Sequence, residues 1–181
     1  MINIESDRLV LKEIGWKDLN DIHRLHSFPE VDKYNTLGIP KSIDDTKDVI
    51  RPSIEDKEKE DRSIYCWTIR LKENDVFIGL AGMTLSARRF KMAEIYYKFL
   101  PEYWGKGYAT ETSKALVKYG FEEMKLHRIE AGVATGNKAS VRVLEKTGMT
   151  NEGIRRKILP IREEWKDNYH FAILESDKRD Y

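Results

Sequence analysis

Two glycines, Gly105 and Gly107, lie between an apolar, strand-like segment, residues 93–100, and a helical pattern that begins at once. The first turn of a helix has backbone N–H groups without partners, and the helix dipole favours negative charge there. A glycine has no Cβ, so its backbone can approach a phosphate closely. The spacing therefore predicts an anion-binding turn, although an ordinary tight turn would use the same glycines.

The elements that would position this turn follow from hydrophobic periodicity and from Gly and Pro positions. Strands are predicted at 9–14, 63–71, 76–85, 93–100, 128–134, 151–159 and 168–174. Helices are predicted at 17–28, 44–62, from the glycine turn to about 124, and at 138–146, with a loop over 30–43. Residues 93–134 thus form a strand–helix–strand unit, whose two strands should be parallel with a right-handed crossover. We expect a single α/β domain, residues 1–181, with a mixed sheet.

Composition limits the classes of function. The 181 residues carry a net charge of +1, which gives no overall attraction to nucleic acid or to an anionic membrane. The start of the chain does not resemble a signal peptide, and no apolar run approaches the ~20 residues of a membrane helix. Cys66 is the one cysteine, which excludes an intramolecular disulfide and a cysteine-based metal cluster. We expect a soluble cytoplasmic protein without direct nucleic-acid or membrane partners and without a metal.

Two motifs carry a resemblance to a known family. The run Trp104-Gly105-Lys106-Gly107-Tyr108-Ala109 resembles the pyrophosphate loop of GNAT acetyltransferases, Gln/Arg-x-x-Gly-x-Gly/Ala. The stretch from Asn137 to Met149 looks like the family's second motif, Asn-x-x-Ser/Ala…Leu-x-Lys-x-Gly-Phe/Met. Residues 6–11 and 164–169 are similar to the Rim-type (RimJ/RimL-like) branch, which is named for acetylation of ribosomal-protein N-termini.

The resemblance implies the α/β (α+β) GNAT acyl-CoA N-acyltransferase fold. This fold has a mixed, mostly antiparallel sheet of about seven strands, a central parallel β-α-β unit and about four helices. It also implies acetyl-CoA as cosubstrate, with its pyrophosphate on backbone amides of residues 104–110 and its pantetheine arm on the end of the fourth strand. The implied cofactor-binding residues are Phe99, Leu100, Trp104, Gly105, Lys106, Gly107, Tyr108, Ala109, Thr110, Asn137 and Ser140.

The chain departs from the family pattern at three positions. Trp104 replaces the Gln or Arg of the loop motif, so that its contact would be made by the backbone alone. Leu144 stands where many members have a tyrosine that protonates the leaving thiolate, and the resemblance to the Rim-type branch transfers that role to Ser140. Tyr96 replaces a glycine in the strand, where it would narrow the acceptor pocket.

Glu94 is the candidate general base. Strand alternation places Glu94, Tyr96 and Lys98 on one face and the side chains of 95, 97 and 99 on the other. An α-amine has a pKa near ~8, so that a base increases the neutral fraction that can attack a thioester. The family often uses a glutamate at this position, commonly through a water molecule. A carboxylate neutralised by a neighbouring cation is the other interpretation of Glu94.

The resemblance thus predicts an N-acetyltransferase that moves the acetyl group of acetyl-CoA to a primary amine by direct attack in a ternary complex. The acceptor would be a protein N-terminus, such as that of a ribosomal protein, or a small amine. A non-catalytic acyl-CoA-binding module and an antibiotic or polyamine acetyltransferase are the alternatives. The sequence leaves the acceptor undetermined and allows a monomer or a homodimer.

Overall fold

The protein is described over residues 2–181 by a computed structural model, in which the strands pair into one eight-stranded sheet. The strands are β1 (Asn3–Glu5), β2 (Leu9–Glu13), β3 (Ile64–Leu71), β4 (Phe77–Leu85), β5 (Met92–Phe99), β6 (Arg128–Ala134), β7 (Thr150–Ile161) and β8 (Glu164–Leu174). Their order is β1-β2-β3-β4-β5-β6-β8-β7. Only β5 and β6 are parallel among these described strands, which confirms the mixed, mostly antiparallel sheet.

Five helices accompany the sheet. They are α1 (Leu19–His26), α2 (Pro29–Asp32), α3 (Ile43–Glu55), α4 (Tyr108–Glu122) and α5 (Lys138–Lys146). The structure thus adds β1 and α2 to the elements predicted from sequence, and α3 ends earlier than expected. Both additions are short: β1 has three residues, and α2 is one turn that begins at Pro29, where a missing N–H is tolerated.

The sheet separates two hydrophobic cores. On one face, Leu116 and Val117 of α4 pack with Ile95 and Ile129 of the parallel strands. On the other face, α1 and α3 contribute a smaller core that includes Leu80 of β4. Apolar residues therefore cover both faces of the central strands, as a parallel pair requires. No helix within residues 2–181 combines the length and apolar character needed to span a bilayer.

The parallel strands β5 and β6 pair over only three positions. The pairs are Met92↔Arg128, Ala93↔Ile129 and Glu94↔Glu130. Beyond Glu94, β5 continues to Phe99 and β6 continues to Ala134, but the two strands no longer pair with each other. They therefore diverge. A gap in the middle of the sheet follows, with unpaired strand backbone along its β5 side.

Candidate functional site

The turn before α4 presents backbone N–H groups without partners. Gly105 and Gly107 both have positive φ, 73° and 83°, which a residue with a Cβ adopts only with strain. The first hydrogen bond of the helix runs from Glu111 N–H to the Gly107 carbonyl at 3.1 Å. The N–H groups of residues 105–110 donate no hydrogen bond within the described chain. The position of a Cβ on Gly105 has no atom within 4 Å, so an anion has open access to this turn.

Side chains from the start of the chain hold this turn in place. The Glu111 carboxylate accepts hydrogen bonds from the Ser6 hydroxyl at 2.7 Å and from Arg8 N–H at 2.8 Å, and it forms an ion pair with the Arg8 guanidinium at 2.7 Å. Arg8 also donates to the Lys106 carbonyl at 3.1 Å. Burial alone would raise the pKa of Glu111, but these donors lower it below its ordinary value. Ser6 and Arg8 thus fix the geometry of the turn before α4.

The end of β5 leaves backbone groups facing the gap. Ser86 N–H donates to the Met92 carbonyl and Leu100 N–H to the Ile78 carbonyl, so the even-numbered residues of β5 point toward β4. By the alternation of an antiparallel ladder, the backbone groups of Tyr97 and Phe99 point into the gap.

Two sequence expectations for this region need adjustment. Leu100 N–H donates to Ile78 and its carbonyl accepts from Tyr103 N–H, both at 3.0 Å, so neither group is free for the expected pantetheine contact. Trp104 was expected to act through its backbone, but its N–H donates to the Pro101 carbonyl at 3.1 Å, and it is its indole N–H that reaches the strand end, donating to the Phe99 carbonyl at 2.9 Å. Phe99 is therefore left with its N–H for a ligand.

A cavity of about 240 Å³ passes through the gap between β5 and β6. On the α4 and α5 side, its wall includes Tyr97, Asn137, Ser140 and Leu144. On the opposite side, the wall is formed by Tyr96 and Lys98 of β5 together with α2 and the loop after it, which contribute residues 31 and 34–36. The cavity thus connects the two faces of the sheet at the only place where the described central strands are unpaired.

Two hydroxyl groups meet on the α5 side of this cavity. Asn137 caps α5, since its Oδ1 accepts from Ser140 N–H at 3.2 Å, and this fixes Ser140 in the first turn of the helix. The Tyr97 hydroxyl is buried without a hydrogen-bond partner in residues 2–181. Burial raises the pKa of Tyr97, and the nearby Ser140 hydroxyl lowers it to a smaller extent. A buried, protonated phenol beside a serine can donate to an incoming acceptor atom.

Glu94 lies at the point where β5 and β6 begin to diverge, and its side chain is exposed outside the cavity lining. Its Oε1 lies 3.3 Å from the position that a Cβ on Gly132 would occupy, and Asn168 Nδ2 lies 2.6 Å from the same position. Glu94 forms no ion pair within the described residues. The alternative interpretation, a carboxylate neutralised by a neighbouring cation, therefore lacks the cation that it needs. The cations of this region pair elsewhere, because Arg128 binds Glu130 and Glu152.

The Tyr96 ring lies flat against Gly82 of β4, and its hydroxyl reaches Cys66 Sγ on β3 at 3.2 Å. The ring therefore extends across the sheet and forms a wall of the cavity, and Gly82 provides the necessary space. Burial raises the pKa of the Cys66 thiol to about 11, so this cysteine is an inert part of the smaller core.

The structure places two of the residues expected at the site in the lining of the cavity. These are Asn137 and Ser140, whereas the turn before α4, residues 105–110, and Glu94 lie outside that lining. Sequence reasoning missed Tyr34, Tyr97 and Lys98 as lining residues. The alternation of β5 placed Tyr97 and Lys98 on opposite faces, but it could not show that β5 is unpaired there on the side that faces β6. Within residues 2–181, no three His, Cys, Asp or Glu side chains are grouped closely enough to hold a metal ion.

The comparisons with known proteins decide the family. The model of the acetyltransferase (GNAT) domain matches residues 8–150. The chain belongs to the GNAT acetyltransferase family. YnaD, an uncharacterised N-acetyltransferase of Bacillus subtilis, is 34% identical over 176 residues, which cover 97% of this chain and 99% of YnaD. A crystal structure of a GNAT-family acetyltransferase from Bacillus anthracis has a TM-score of 0.85 at 33% identity, with 97% of this chain and 100% of that chain covered.

More distant GNAT structures share the fold. A spermidine N-acetyltransferase from Vibrio cholerae, solved with CoA and spermine, has a TM-score of 0.82 at 24% identity, with 94% of this chain and 98% of that chain covered. A ribosomal-protein-S5-alanine acetyltransferase from Vibrio fischeri has a TM-score of 0.83 at 19% identity, with 99% and 100% covered. These likenesses confirm the GNAT fold. The match to the GNAT domain and the similar N-acetyltransferase YnaD show that the protein is an acetyl-CoA-dependent acetyltransferase. The resemblance to the Rim-type branch stays a prediction from the sequence.

Proposed function

We propose that this GNAT acetyltransferase transfers the acetyl group of acetyl-CoA directly to a primary amine in a ternary complex. The single observation that carries the proposal is the cavity through the gap between β5 and β6. One face of the sheet presents the anion-binding turn and the Tyr97–Ser140 pair, and the other presents Tyr34, Tyr96 and Lys98. Two substrates can therefore approach the gap from opposite faces without exchanging places, as direct transfer requires.

The residues present suit acetyl-CoA. The free N–H groups of Gly105, Lys106, Gly107, Tyr108, Ala109 and Thr110 would bind its pyrophosphate. The pantetheine arm would lie along the unpaired edge of β5 and bond to Tyr97 and Phe99, with Asn137 Nδ2 as a further donor. We assign no contact to Leu100, because both of its backbone groups are already paired.

Bound acetyl-CoA supplies an acetyl group on a thioester. In the transfer, a bond forms between the amine nitrogen and the carbonyl carbon, the carbon–sulfur bond breaks, and the sulfur leaves with its electron pair. The nitrogen loses one proton and the sulfur gains one, so the products are an amide and a thiol. Glu94 would take the proton from nitrogen through a water molecule, since its carboxylate has no ion-pair partner. Ser140, with Tyr97 beside it, would donate to the sulfur.

The acceptor class is a primary amine, either a protein N-terminus or a small molecule. The similarity of residues 6–11 and 164–169 to the Rim-type branch supports an N-terminus, including that of a ribosomal protein. The Vibrio cholerae relative named as a spermidine N(1)-acetyltransferase, 25% identical over 174 residues, supports a small amine. The chemistry at the gap is the same in both cases.

A charge placed in the anion-binding turn tests the proposal. Gly105→Glu should abolish measurable acetyl-CoA binding in calorimetry, because a carboxylate and a strained φ replace free space beside the N–H groups. Gly153→Glu is the matched control, since Gly153 also has a positive φ, 135°, and no atom within 4 Å of its Cβ position. It lies on β7, outside the cavity lining, and should bind normally. Equal affinity in the two variants would refute the assignment of the turn.

A further inference from the structure

A second cavity adjoins the one that passes through the gap. It has a volume of about 310 Å³ and lies between α1, α3 and the face of the sheet that bears Tyr96 and Lys98. Asn35, Tyr96 and Lys98 line both cavities, so these three side chains form the boundary between them. A molecule that reaches the gap from this face can therefore place part of its structure in the second cavity.

The second cavity is mostly apolar and has no carboxylate in its lining. Its apolar residues are Leu37, Val49, Ile50, Cys66 and Leu80. His26 contributes a ring that stays neutral near pH 7, because burial lowers its pKa to about 3. The lining of the first cavity also has no Asp or Glu. Lys98 is thus the one group in either lining that carries charge at neutral pH.

The Lys98 ammonium has no partner in the described part of the chain, where it forms neither a hydrogen bond nor an ion pair. Burial lowers its pKa to about 8. The charge of Asp32 on α2 acts on the ammonium, but Asp32 lies outside both linings, and its Oδ2 is 3.7 Å from the Arg162 guanidinium. A desolvated cation is stabilised when an anion binds to it.

The neighbouring groove of the β7–β8 hairpin is also cationic. It is lined by Lys33, Lys157, Arg162 and Lys166 against two carboxylates. Of these, Glu164 pairs with Lys166, and Asp167 accepts from Lys157 N–H at 2.8 Å. The approach to the gap therefore repels a polycation, and it favours an acceptor with a negative group near its amine.

We propose that the acceptor is a small primary amine that carries a carboxylate and an apolar side group, as an apolar amino acid does. Lys98 binds the carboxylate, the second cavity receives the apolar group, and the amine points through the gap toward the acetyl group. The proposal rests on the proposed function, because it names the acceptor of the same site. It assigns Lys98 as the residue that selects the acceptor.

Matched amines test the carboxylate. Release of the CoA thiol is measured with leucine, leucinamide, 3-methylbutylamine and spermidine, which separate the carboxylate from the hydrocarbon and from added positive charge. We expect kcat/KM for leucine to exceed the values for the other three by about 10- to 100-fold, as for a charge-assisted hydrogen bond. Equal or faster turnover of leucinamide or spermidine overturns the proposal.

Variants of Lys98 test the residue. Lys98→Met should abolish the preference for leucine, and Lys98→Arg should retain part of it. Lys118→Met, at an exposed lysine of α4 outside both linings, should leave the preference intact. Acetyl-CoA affinity and the melting temperature are measured for each variant, so that misfolding is recognised. A leucine preference that survives in a folded Lys98→Met variant also overturns the proposal.

The two proposals can fail separately. If the unaltered protein does not bind acetyl-CoA, the proposed function is refuted. Normal acetyl-CoA binding with acetylation of amines that lack a carboxylate would refute only the proposed acceptor. Where no amine is turned over, calorimetry with the CoA-loaded protein compares leucine with leucinamide, and absence of leucine binding refutes the carboxylate site.

Discussion

In the proposed transfer, Tyr97 and Ser140 would together take the proton-donor role for which position 144 has no suitable side chain. Leu144, 2% exposed and in the cavity wall, cannot donate a proton. The Tyr97 hydroxyl instead enters the same space from β5, with Ser140 beside it. Because burial raises its pKa, Tyr97 stays protonated, and in the proposed transfer it would donate a hydrogen bond to the developing thiolate.

A double-mutant cycle measures this pair. Tyr97→Phe and Ser140→Ala should each lower kcat by about 10- to 100-fold, with acetyl-CoA affinity nearly unchanged, because the donor acts mainly on the charge that forms in the transition state. If the two hydroxyls act on one sulfur, their effects should be non-additive. Strictly additive losses in stopped-flow thiol release would argue for separate roles.

Glu94 permits a separate test at the residue scale. Glu94→Gln should lower kcat about 10²-fold or more with little change in acetyl-CoA affinity, because the amide keeps the shape of the side chain and removes the base. The acidic limb of the pH–rate profile should disappear in the variant. Glu152→Gln is a control on the same side of the sheet, since that carboxylate already pairs with Arg128. An unaltered profile in Glu94→Gln would show that another group removes the proton.

At the scale of elements, the anion-binding turn depends on contacts from residues distant in sequence. Glu111→Gln weakens the contacts with Ser6 and Arg8 and leaves α4 intact. We expect acetyl-CoA affinity to fall about 3- to 10-fold by calorimetry, because the turn must be ordered when the ligand binds. Glu122→Gln, at the far end of α4, should bind as the unaltered protein does. Unchanged affinity in Glu111→Gln would mean that the turn is ordered without this contact.

Gly82 of β4 makes room for the ring of Tyr96, which forms part of the cavity wall on the face where the acceptor is proposed to bind. A Cβ at position 82 would lie 2.2 Å from the Tyr96 ring, so Gly82→Ala must displace the ring. We expect a loss of about 1–3 kcal/mol in the free energy of unfolding in urea and a raised KM for the acceptor. Tyr96→Phe, which removes only the hydroxyl bond to Cys66, should change the KM much less. Gly82→Ala with a normal acceptor KM would show that the ring does not shape the site.

Local sequence signals predicted much of this site. Gly105 and Gly107 need positive φ, and Asn137 caps α5, so both features could be seen in short stretches of sequence. The three-residue β1 and the single turn of α2 are too short to show a period. The gap after Glu94 depends on how two strands 30 or more residues apart diverge, and the partners of Glu111 are about 100 residues away. Such long-range contacts leave no mark in local periodicity.

At the scale of the whole molecule, the two faces of the sheet carry different parts of the candidate site. The anion-binding turn and the two hydroxyls lie on one face, whereas Lys98 and the apolar second cavity lie on the other. The groups packed around Lys98 are His26 of α1, Cys66 of β3, Tyr96 of β5 and Asp32 of α2. The His26 pKa is about 3, the Cys66 pKa is about 11, and the Tyr96 pKa is raised well above its ordinary value. Among His26, Cys66, Tyr96 and Lys98, Lys98 is thus the group whose pKa lies nearest to neutral pH.

The preference for a carboxylate should therefore depend on pH in one direction. Lys98 has a pKa of about 8, so it is protonated below that pH and loses its charge as the pH rises through it. The ratio of kcat/KM for leucine to that for leucinamide, divided by the same ratio in Lys98→Met, should be constant below about pH 7 and fall above pH 8, because kcat/KM reports the free enzyme. The same ratio in Lys98→Met corrects for the different pKa values of the two amines. A fall that persists in this variant would assign the effect to the substrates, whereas a fall confined to the unaltered protein would assign it to the ammonium at the boundary of the two cavities.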